Sequence, residues 1–358
     1  MISEEGSGLT VHILRVLLTP MAGLYLAVVR LRVWAYRCGL FPTVRLKVPV
    51  VSVGNLQVGG TGKTPLVIAL ARQLQRRGLQ VAVLSRGYGG GSKSPVTLVS
   101  DGANILGNAA AVGDEPVMLA EALPGIPIIV GSNRAFTGAW AIDHVHPDLL
   151  LLDDGFQHLH LHRDVNILLL DARRPFGRGR VLPLGILREP PQASRRADVV
   201  ILTRANRADS GDQPENMASC AVHLRGKPVF RANHLPIGLR DLATGERKGS
   251  SLVAGRRLAA FAGLADNSSF FATLREMGAE VVQEFSFPDH YRLTATDEFN
   301  IRTAMDAGRL DLAVTTAKDA VKLSTDFLKP HRVWILDVES VLDDEEGLTS
   351  LVLNRTKE

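Results

Sequence analysis

The chain has 358 residues, of which 46% are hydrophobic and 22% charged, and its formal net charge is +4. This length suits one large α/β domain or two domains of ordinary size, and the composition excludes a low-complexity or disordered protein. The two cysteines, Cys38 and Cys220, lie far apart without C-x-x-C spacing. That spacing argues against a zinc site or a disulfide framework and suits a reducing compartment. Because the basic residues form no aromatic-interleaved stripe, we expect no nucleic-acid partner, and no obligate protein partner is predicted.

The N-terminal stretch from Leu9 to Leu40 is mostly apolar and is predicted to contain a helix. Thr19 fits an N-cap with Pro20 at the first helical position, and Gly39 is placed to end the helix. Residues 1–40 are therefore interpreted as an N-terminal amphipathic segment.

The relation of this helix to a membrane follows from its charges. The uncharged run between Arg15 and Arg30 has roughly 14 residues, fewer than the roughly 20 needed to span a bilayer, so a transmembrane span is not expected. A signal peptide is also not expected, because acidic residues precede the run and arginines follow it. Two interpretations remain open, a helix lying on anionic headgroups and a helix packed on its own protein. The apolar positions at three- and four-residue spacing are Leu17, Met21, Leu24, Val28, Leu31 and Trp34.

Residues 45–225 show short apolar runs that alternate with helical patterns, which is typical of a mostly parallel sheet covered on both faces. The chain is therefore predicted to have an α/β fold with a sheet domain over residues 41–225. The apolar runs are Val48–Val53, Val81–Leu84, Ile126–Val130, Leu149–Leu152, Val165–Leu170 and Val199–Leu202. The helical patterns are Pro65–Gln75, Glu115–Leu123 and Arg134–His144.

Beyond residue 225 the pattern changes. Val229–His234 and Leu239–Leu242 predict a β-hairpin-like connector over residues 226–257. The strand and helix alternation then resumes, so residues 258–358 are predicted to form a smaller α/β domain that closes over the active site. The patterns that support it are Leu258–Phe261, Ser268–Met277, Val281–Phe285, Leu312–Thr315 and Val333–Leu336.

A glycine-rich loop follows the first apolar run, in the stretch V-S-V-G-N-L-Q-V-G-G-T-G-K-T-P at residues 51–65. Gly62-Lys63-Thr64 is the usual end of a phosphate-binding loop, although Gln57 stands where G-x-x-x-x-G-K-[ST] requires glycine. The lysine can reach the β- and γ-phosphates, and the threonine hydroxyl can hold Mg²⁺. The candidate nucleotide-binding residues are Asn55, Val58, Gly59, Gly60, Thr61, Gly62, Lys63, Thr64 and Pro65.

Four further groups carry candidate chemistry. Asp153 and Asp154 follow a buried strand, where carboxylates can organise Mg²⁺ or, alternatively, cap a helix. Asp114 in G-D-E-P is either a general base for an attacking hydroxyl or the cap of a helix starting near Pro116. Arg188-Glu189-Pro190 and His290 are weaker candidates on their own, because a lone histidine is more often structural.

Taken together and in order, these stretches resemble the tetraacyldisaccharide 4'-kinase family of lipid A synthesis over about residues 10–340. The stretches that carry the resemblance are G-N-L-Q-V-G-G-T-G-K-T-P, L-S-R-G-Y-G-G, G-D-E-P, D-D-G-F-Q-H-L, D-A-R-R-P-F-G-R-G-R-V-L-P-L-G-I-L-R-E-P, F-A-G-L-A, F-P-D-H and T-T-A-K-D-A-V-K-L. The resemblance implies a two-domain P-loop kinase with a membrane-associated N-terminal helix, peripheral on the cytoplasmic side of the inner membrane of a Gram-negative bacterium. It implies the cofactors ATP and Mg²⁺, and transfer of the γ-phosphate to the 4'-hydroxyl of a tetraacylated glucosamine disaccharide 1-phosphate, forming lipid IVA.

The resemblance also implies roles for individual residues. Asp114 would be the base, paired with His290 from the second domain, so that the base is complete only when the domains close. Lys63 and Arg188 would be catalytic, and Gln157 and His158 would line the active centre. The implied metal ligands are Thr64, Glu115, Asp153, Asp154 and Glu189. Ala317 departs from the family pattern, which commonly has glutamate there, and this puts only a local contact in doubt.

An alternative from another class is a membrane-docked P-loop GTPase or ATPase switch. GTPases commonly read guanine with N/T-K-x-D, but Leu202-Thr203-Arg204-Ala205-Asn206 lacks both the lysine and the aspartate. A membrane-bound scaffold with a decayed loop is disfavoured because the lysine, the threonine and the carboxylates all remain.

Overall fold

The structure is a computed structural model that describes residues 9–92, 94–205 and 222–357. Cys220 and Asn206, which entered the sequence arguments, lie outside these residues. The helices, in chain order, are α1 (Leu9–Arg37), α2 (Lys63–Arg76), α3 (Ala109–Val112), α4 (Asp114–Ala122), α5 (Arg134–Val145), α6 (Asn267–Glu276), α7 (Ala295–Gly308), α8 (Ala317–Ala320) and α9 (Glu345–Arg355). Short 3-10 helices span Pro191–Arg196 and Ser250–Val253.

The strands divide between two compact units, each described separately below. In chain order they are β1 (Val50–Asn55), β2 (Val81–Ser85), β3 (Thr97–Ser100), β4 (Ile128–Val130), β5 (Leu149–Asp153), β6 (Val165–Asp171), β7 (Val199–Thr203), β8 (Val229–Asp241), β9 (Arg247–Lys248), β10 (Arg257–Ala262), β11 (Glu280–Ser286), β12 (Leu312–Thr316) and β13 (Val333–Leu342).

The first unit comprises Met1–Arg86, Gly131–Asn233 and Val341–Glu358. It is built on a parallel sheet in the order β8-β7-β6-β1-β5-β2, to which β8 contributes its first residues. Every residue of β1, β2, β5, β6 and β7 is buried, as expected for parallel strands covered on both faces. The α/β fold with a mostly parallel sheet is confirmed.

The second unit comprises Gly87–Val130 and His234–Ser340. Its parallel strands follow the order β11-β10-β12-β13, and β3 pairs with β4 in an antiparallel arrangement. Its core contains Phe261, Phe271 and Trp334, all nearly inaccessible to solvent. The bounds of the two units differ from the predicted contiguous domains 41–225 and 258–358. The segment Gly87–Val130, which carries Asp114, belongs to the second unit.

The segment interpreted as a connector forms a longer strand than the sequence indicated. Val229 to Asp241 is one strand, and its first residues pair with β7 in parallel. The predicted hairpin is present, but it joins β8 to β9 through the pair Leu239 and Lys248. The Asp241 carboxylate organises the turn by accepting hydrogen bonds from the main-chain N–H groups of residues 243 and 244, at 3.0 and 2.8 Å.

Helix α1 begins ten residues before the predicted N-cap, so the assignment of Thr19 and Pro20 to a helix start is wrong. Pro20 lies inside the helix, and the Thr19 hydroxyl donates to the Arg15 carbonyl oxygen at 2.8 Å. Bonds of this type from a threonine hydroxyl to the carbonyl oxygen four residues earlier are common inside helices. The predicted end is confirmed, because Gly39 adopts a φ of +72° just after the helix.

The earlier start lengthens the helix but not the uncharged run between Arg15 and Arg30, which still has roughly 14 residues. Residues His12–Arg37, with a mean hydropathy of 1.7, form a helix that could cross a membrane by length and composition alone. The two faces of α1 differ. Tyr25 and Leu26 pack on the core of the first unit beside Leu56 and Phe156. The opposite face exposes Leu17, Met21, Leu24, Val28, Leu31 and Trp34, each with more than half of its surface accessible.

Candidate active site

The glycine-rich loop lies between β1 and α2, the context that a phosphate-binding loop requires. Gly62 occupies the N-cap of α2 with a φ of +81°, a left-handed conformation that glycine adopts without strain. The Asn55 side chain donates to the Thr61 hydroxyl at 2.7 Å and ties the start of the loop to its end. The loop is therefore held curled by its own side chains, with the N-terminus of α2 at its end to attract phosphate.

Gln57 does not take part in this curl. Its buried amide donates to the carbonyl oxygens of Arg174 and Pro175 at 2.6 and 3.1 Å. On either side of it, the Val58 N–H donates to the Ile186 carbonyl oxygen, and the Arg188 N–H donates to the Leu56 carbonyl oxygen, both at 2.7 Å. The residue that breaks the strict glycine pattern thus joins the loop to the segment that carries Arg188.

Arg204 supports the loop from the far side. One guanidinium nitrogen donates to the Gly60 carbonyl oxygen at 2.9 Å, and the group also pairs with Asp171 at the end of β6. Burial raises the pKa of Asp171, but hydrogen bonds and charge from Arg173 and Arg204 outweigh it and hold that pKa below its usual range. The position at which GTPases read guanine is thus used here to hold the phosphate-binding loop.

The two aspartates after β5 differ in their surroundings. Asp153 ends the strand in register with Val53 of β1, just before the glycine-rich loop. Asp154 follows with a φ of +53°, and its carboxylate pairs with Arg188 at 2.8 Å and Lys63 at 3.6 Å. Burial would raise the pKa of Asp154, but the two cations together hold it below its usual value. Neither aspartate begins a helix, so the capping interpretation is wrong for both.

Arg134 is a site residue that the sequence analysis used only as the start of a helix. It is 3% exposed, and it donates to the carbonyl oxygens of Gly131 at 2.5 Å and Asp153 at 3.5 Å. Burial lowers its pKa to about 10, and the Asp153 charge partly opposes that shift. An arginine that stays charged at neutral pH while buried beside a phosphate-binding loop is suited to stabilise added negative charge.

The segment after Asp154 carries Gln157 and His158. The Gln157 amide donates to the Asn55 carbonyl oxygen at 2.8 Å, and Arg163 donates to the His158 carbonyl oxygen at 3.1 Å. Burial lowers the pKa of His158 to about 4, with Arg134 and Arg163 adding to the effect, so the imidazole is neutral at pH 7. Both residues therefore lie on a loop that is fastened to the nucleotide site.

In the second unit, Asp114 and His290 lie together, as the resemblance implied. His290 Nδ1 is 3.4 Å from Asp114 Oδ2, and Asp114 is almost completely buried. Gly113 precedes the aspartate with a φ of +93°, where an added Cβ would lie 2.4 Å from the Tyr88 carbonyl oxygen. Since α4 begins at Asp114 with Gly113 as its N-cap, Asp114 is not the cap of that helix. Both partners belong to one unit, so the pair forms without closure of one domain on another.

Lysines from T-T-A-K-D-A-V-K-L surround this pair. Lys322 Nζ, nearly inaccessible to solvent, lies 2.7 Å from Asp319 and 3.9 Å from Asp114. Lys318 Nζ lies 2.7 Å from Asp289 and 3.6 Å from Glu115. The sequence analysis used this stretch only for the resemblance. The sequence did contain a signal for these residues, because Lys318 and Lys322 are four residues apart and follow a buried strand directly.

A divalent metal would need oxygen ligands near the nucleotide phosphates, and the predicted set fits this need in part. Asp153 and the Thr64 hydroxyl offer hard oxygen atoms of the type that Mg²⁺ prefers. Asp154 is paired with Lys63 and Arg188, Glu189 with Arg196 at 2.8 Å, and Glu115 with Lys318. Among the residues that the structure describes, no group of three or more histidine, cysteine or acidic side chains could hold a metal. A Mg²⁺ ion held by a few protein oxygens and the phosphates fits this arrangement.

The parallel sheet, the glycine-rich loop on a helix N-terminus and the acidic strand end define a nucleotide-dependent enzyme of the P-loop class. The family described as tetraacyldisaccharide-1-phosphate 4'-kinase, LpxK, matches residues 14–357. The chain belongs to this family.

Individual relatives agree with this assignment. Tetraacyldisaccharide 4'-kinase from Syntrophus aciditrophicus is 47% identical over 326 residues, covering 89% of this chain and 87% of the relative. The protein of the same name from Geobacter metallireducens is 44% identical, covering 96% and 98%. The crystal structure of the "apo" form of LpxK from Aquifex aeolicus in complex with ATP superposes with a TM-score of 0.77 at 33% identity, covering 96% of this chain and 99% of that chain.

Proposed function

We propose that this enzyme transfers the γ-phosphate of ATP to the 4'-hydroxyl of a tetraacyldisaccharide 1-phosphate, in lipid A biosynthesis. The observation that carries the proposal is the pre-curled loop ending in Lys63 and Thr64, with the Lys63 side chain beside Asp154. Transfer breaks the bond between the γ-phosphorus and its bridging oxygen, forms a bond to the sugar oxygen and leaves ADP. The hydroxyl proton passes to a base.

The nucleotide end of the reaction belongs to the first unit. Backbone N–H groups of Gly59–Thr64 surround the phosphates, and Lys63 neutralises charge on the β- and γ-phosphates. Asp154 holds Lys63 and Arg188 near each other, because its carboxylate contacts both. When these cations turn to the phosphate, their positive charge stabilises the transition state.

Thr64 and Asp153 would hold Mg²⁺ through their side-chain oxygens. When bound, this ion neutralises charge on the β- and γ-phosphates and orients them for displacement.

The acceptor end depends on Asp114. Its buried carboxylate takes the proton of the attacking hydroxyl, and His290 at 3.4 Å holds that carboxylate in place. Lys322 Nζ lies 3.9 Å from the same oxygen, on the side chain that would receive the proton. Gln157, His158 and Glu189 are assigned to the nucleotide end in the first unit and Glu115 to the acceptor end in the second, and both glutamates have cationic partners in their own unit.

The exposed apolar face of α1 is proposed to hold the enzyme on the cytoplasmic side of the inner membrane of a Gram-negative bacterium, as a peripheral protein. The acylated acceptor resides in a bilayer, and the same helix packs on the first unit through Tyr25 and Leu26. A helix with one face on the protein and an apolar stripe outside is suited to the membrane surface.

The test is transfer of radiolabel from γ-labelled ATP to purified tetraacyldisaccharide 1-phosphate in mixed micelles. We expect a bisphosphorylated lipid with the wild-type protein. Asp114→Asn, which keeps the size of the side chain, should abolish transfer and leave ATP affinity nearly unchanged, whereas Lys63→Met should weaken ATP binding. Asp306→Asn, an exposed aspartate of the second unit, is the matched control. Absence of transfer by folded, ATP-binding wild-type protein would overturn the proposal.

A further inference from the structure

The surroundings of His290 assign a proton position that the pair with Asp114 alone does not fix. The ring has two nitrogens, and in neutral imidazole one carries hydrogen while the other accepts a hydrogen bond. Nδ1 faces Asp114 Oδ2 at 3.4 Å. Nε2 lies 3.3 Å from the Nζ of Lys318. Asp289 Oδ1 lies farther from Nε2, at 3.9 Å, so in the neutral ring the lysine contact decides which nitrogen carries the hydrogen.

Lys318 can act only as a donor. An ammonium group has three N–H donors and no acceptor, so a hydrogen bond to Nε2 requires the ring lone pair at that atom. Asp289, 2.7 Å from the same Nζ, and Glu115 at 3.6 Å balance its charge. With Nε2 occupied as an acceptor, the ring hydrogen is on Nδ1 and points toward the Asp114 carboxylate.

The fold fixes the position of this lysine firmly. Asp319, the next residue, is completely buried, and its carboxylate accepts from the Gly263 N–H at 2.9 Å and the Thr316 hydroxyl at 2.7 Å. Lys322 donates to the other carboxylate oxygen at 2.7 Å. These bonds hold α8 at the end of β12, so Lys318 extends toward His290 from a rigid turn.

The histidine itself is held in an unusual conformation. Its backbone has a φ of +62°, a left-handed conformation that costs energy for a residue with a side chain. The Tyr88 ring lies 5.3 Å from the imidazole in a tilted arrangement. Lys318, Asp289, Asp114 and Tyr88 thus fix the ring from four directions.

We propose that Lys318 is a positioning residue that keeps His290 in the Nδ1–H tautomer, so that the Nδ1 hydrogen lies on the side of Asp114 and the carboxylate alone receives the acceptor proton. The proposal rests on the proposed function for its catalytic meaning. The assignment of the tautomer itself does not depend on the proposed function. A histidine that donates through Nδ1 cannot at the same time accept a proton there, and at Nε2 it can accept one only after the lysine hydrogen bond breaks.

The test is nitrogen NMR of protein labelled at its histidines, with His290→Gln used to assign the signal. In the wild-type protein we expect a protonated Nδ1 and an unprotonated Nε2. Lys318→Met should shift the ring toward the Nε2–H form and lower kcat about tenfold, with little change in the KM for ATP. Lys318→Arg, which also donates without accepting, should restore the tautomer and part of kcat. Lys329→Met, at an exposed lysine of the same unit that pairs with Asp326, should leave both unchanged.

The NMR measurement needs no substrate, so it gives a result even if the wild-type protein transfers no phosphate. In that case the proposed function fails while the tautomer assignment is still decided. A wild-type ring protonated at Nε2, or an unchanged ring signal in folded Lys318→Met and Lys318→Gln proteins, would overturn the inference.

Discussion

The Tyr25 hydroxyl of α1 donates a hydrogen bond to the main-chain carbonyl oxygen of Arg188 at 2.8 Å. About two turns further along the helix, Arg32 donates to the Gln157 carbonyl oxygen at 3.1 Å. The inner face of the proposed membrane helix therefore contacts the two segments that carry the predicted site residues Arg188 and Gln157. The helix supports the site and presents an apolar surface on its other face.

Tyr25→Phe is expected to lower kcat about two- to tenfold, because it removes one hydrogen bond worth about 0.5–1.5 kcal/mol from the support of Arg188. Membrane binding and ATP affinity should remain near wild type, since the exposed face and the glycine-rich loop are unaltered. Transfer assays and vesicle sedimentation on the same preparation separate these effects. Tyr36→Phe on the same helix is the control. Equal transfer by both variants would mean that the contact is only structural.

The sequence predicted the strands of the parallel sheet closely, because each is a short apolar run buried on both faces. It also located the nucleotide loop and, through the resemblance, the pair of Asp114 and His290. Helix α7 was missed because only Ile301 and Met305 of it are buried, although Thr294 and Asp297 form a capping box at its start.

Other features depend on contacts between residues distant in sequence, which local patterns do not contain. Arg134 is a candidate site residue because of its bond to the Asp153 carbonyl oxygen, and Lys318 because of its contact with His290. Likewise, a proline predicted to start a helix lies inside α1. Local propensity indicated a start, but the longer apolar helix formed through it.

Gln57→Gly restores the strict glycine pattern, yet it is expected to lower the free energy of unfolding of the protein. The change removes the donor to the Arg174 and Pro175 carbonyl oxygens, costing about 1–3 kcal/mol, and glycine adds up to about 1 kcal/mol through backbone entropy. Denaturant unfolding should show the loss, and titration should show no gain in ATP affinity. Gln57→Ala separates the two contributions, and Gln283→Ala, at an exposed glutamine, is the control. Tighter ATP binding by Gln57→Gly would contradict the structural role.

The exposed face of α1 is expected to supply most of the membrane affinity. Leu24→Glu combined with Val28→Glu places two carboxylates on this face and removes two apolar side chains that are more than half exposed. Burial of such side chains contributes about 1.5–3 kcal/mol each, so partition onto anionic vesicles should fall at least about a hundredfold. Phe299→Glu, at an equally exposed apolar residue outside α1, should not change partition. Membrane binding that survives the double change would place the contact surface elsewhere.

His158 is expected to make the folded protein sensitive to acid. Burial lowers its pKa from 6.5 to about 4. Between these values the unfolded state binds more protons than the folded state, so stability rises with pH across this window and is lost as pH falls. A shift of this size corresponds to roughly 2–3 kcal/mol after allowance for the partial exposure of the ring. In denaturant unfolding at pH 4.5 and 7, His158→Gln should show a smaller difference in unfolding free energy than the wild-type protein.

His144→Gln provides the matched control, because that imidazole is exposed on α5 and stacks on Trp140 at a centroid distance of 4.2 Å. The carboxylates and the other histidines titrate in all three proteins, so the comparison isolates the contribution of His158. If His144→Gln and His158→Gln reduce the acid sensitivity equally, the buried imidazole is protonated as readily as an exposed one. That result would exclude a neutral His158 imidazole at pH 4.5. It would also exclude the interpretation of His158 as an uncharged neighbour of Arg134.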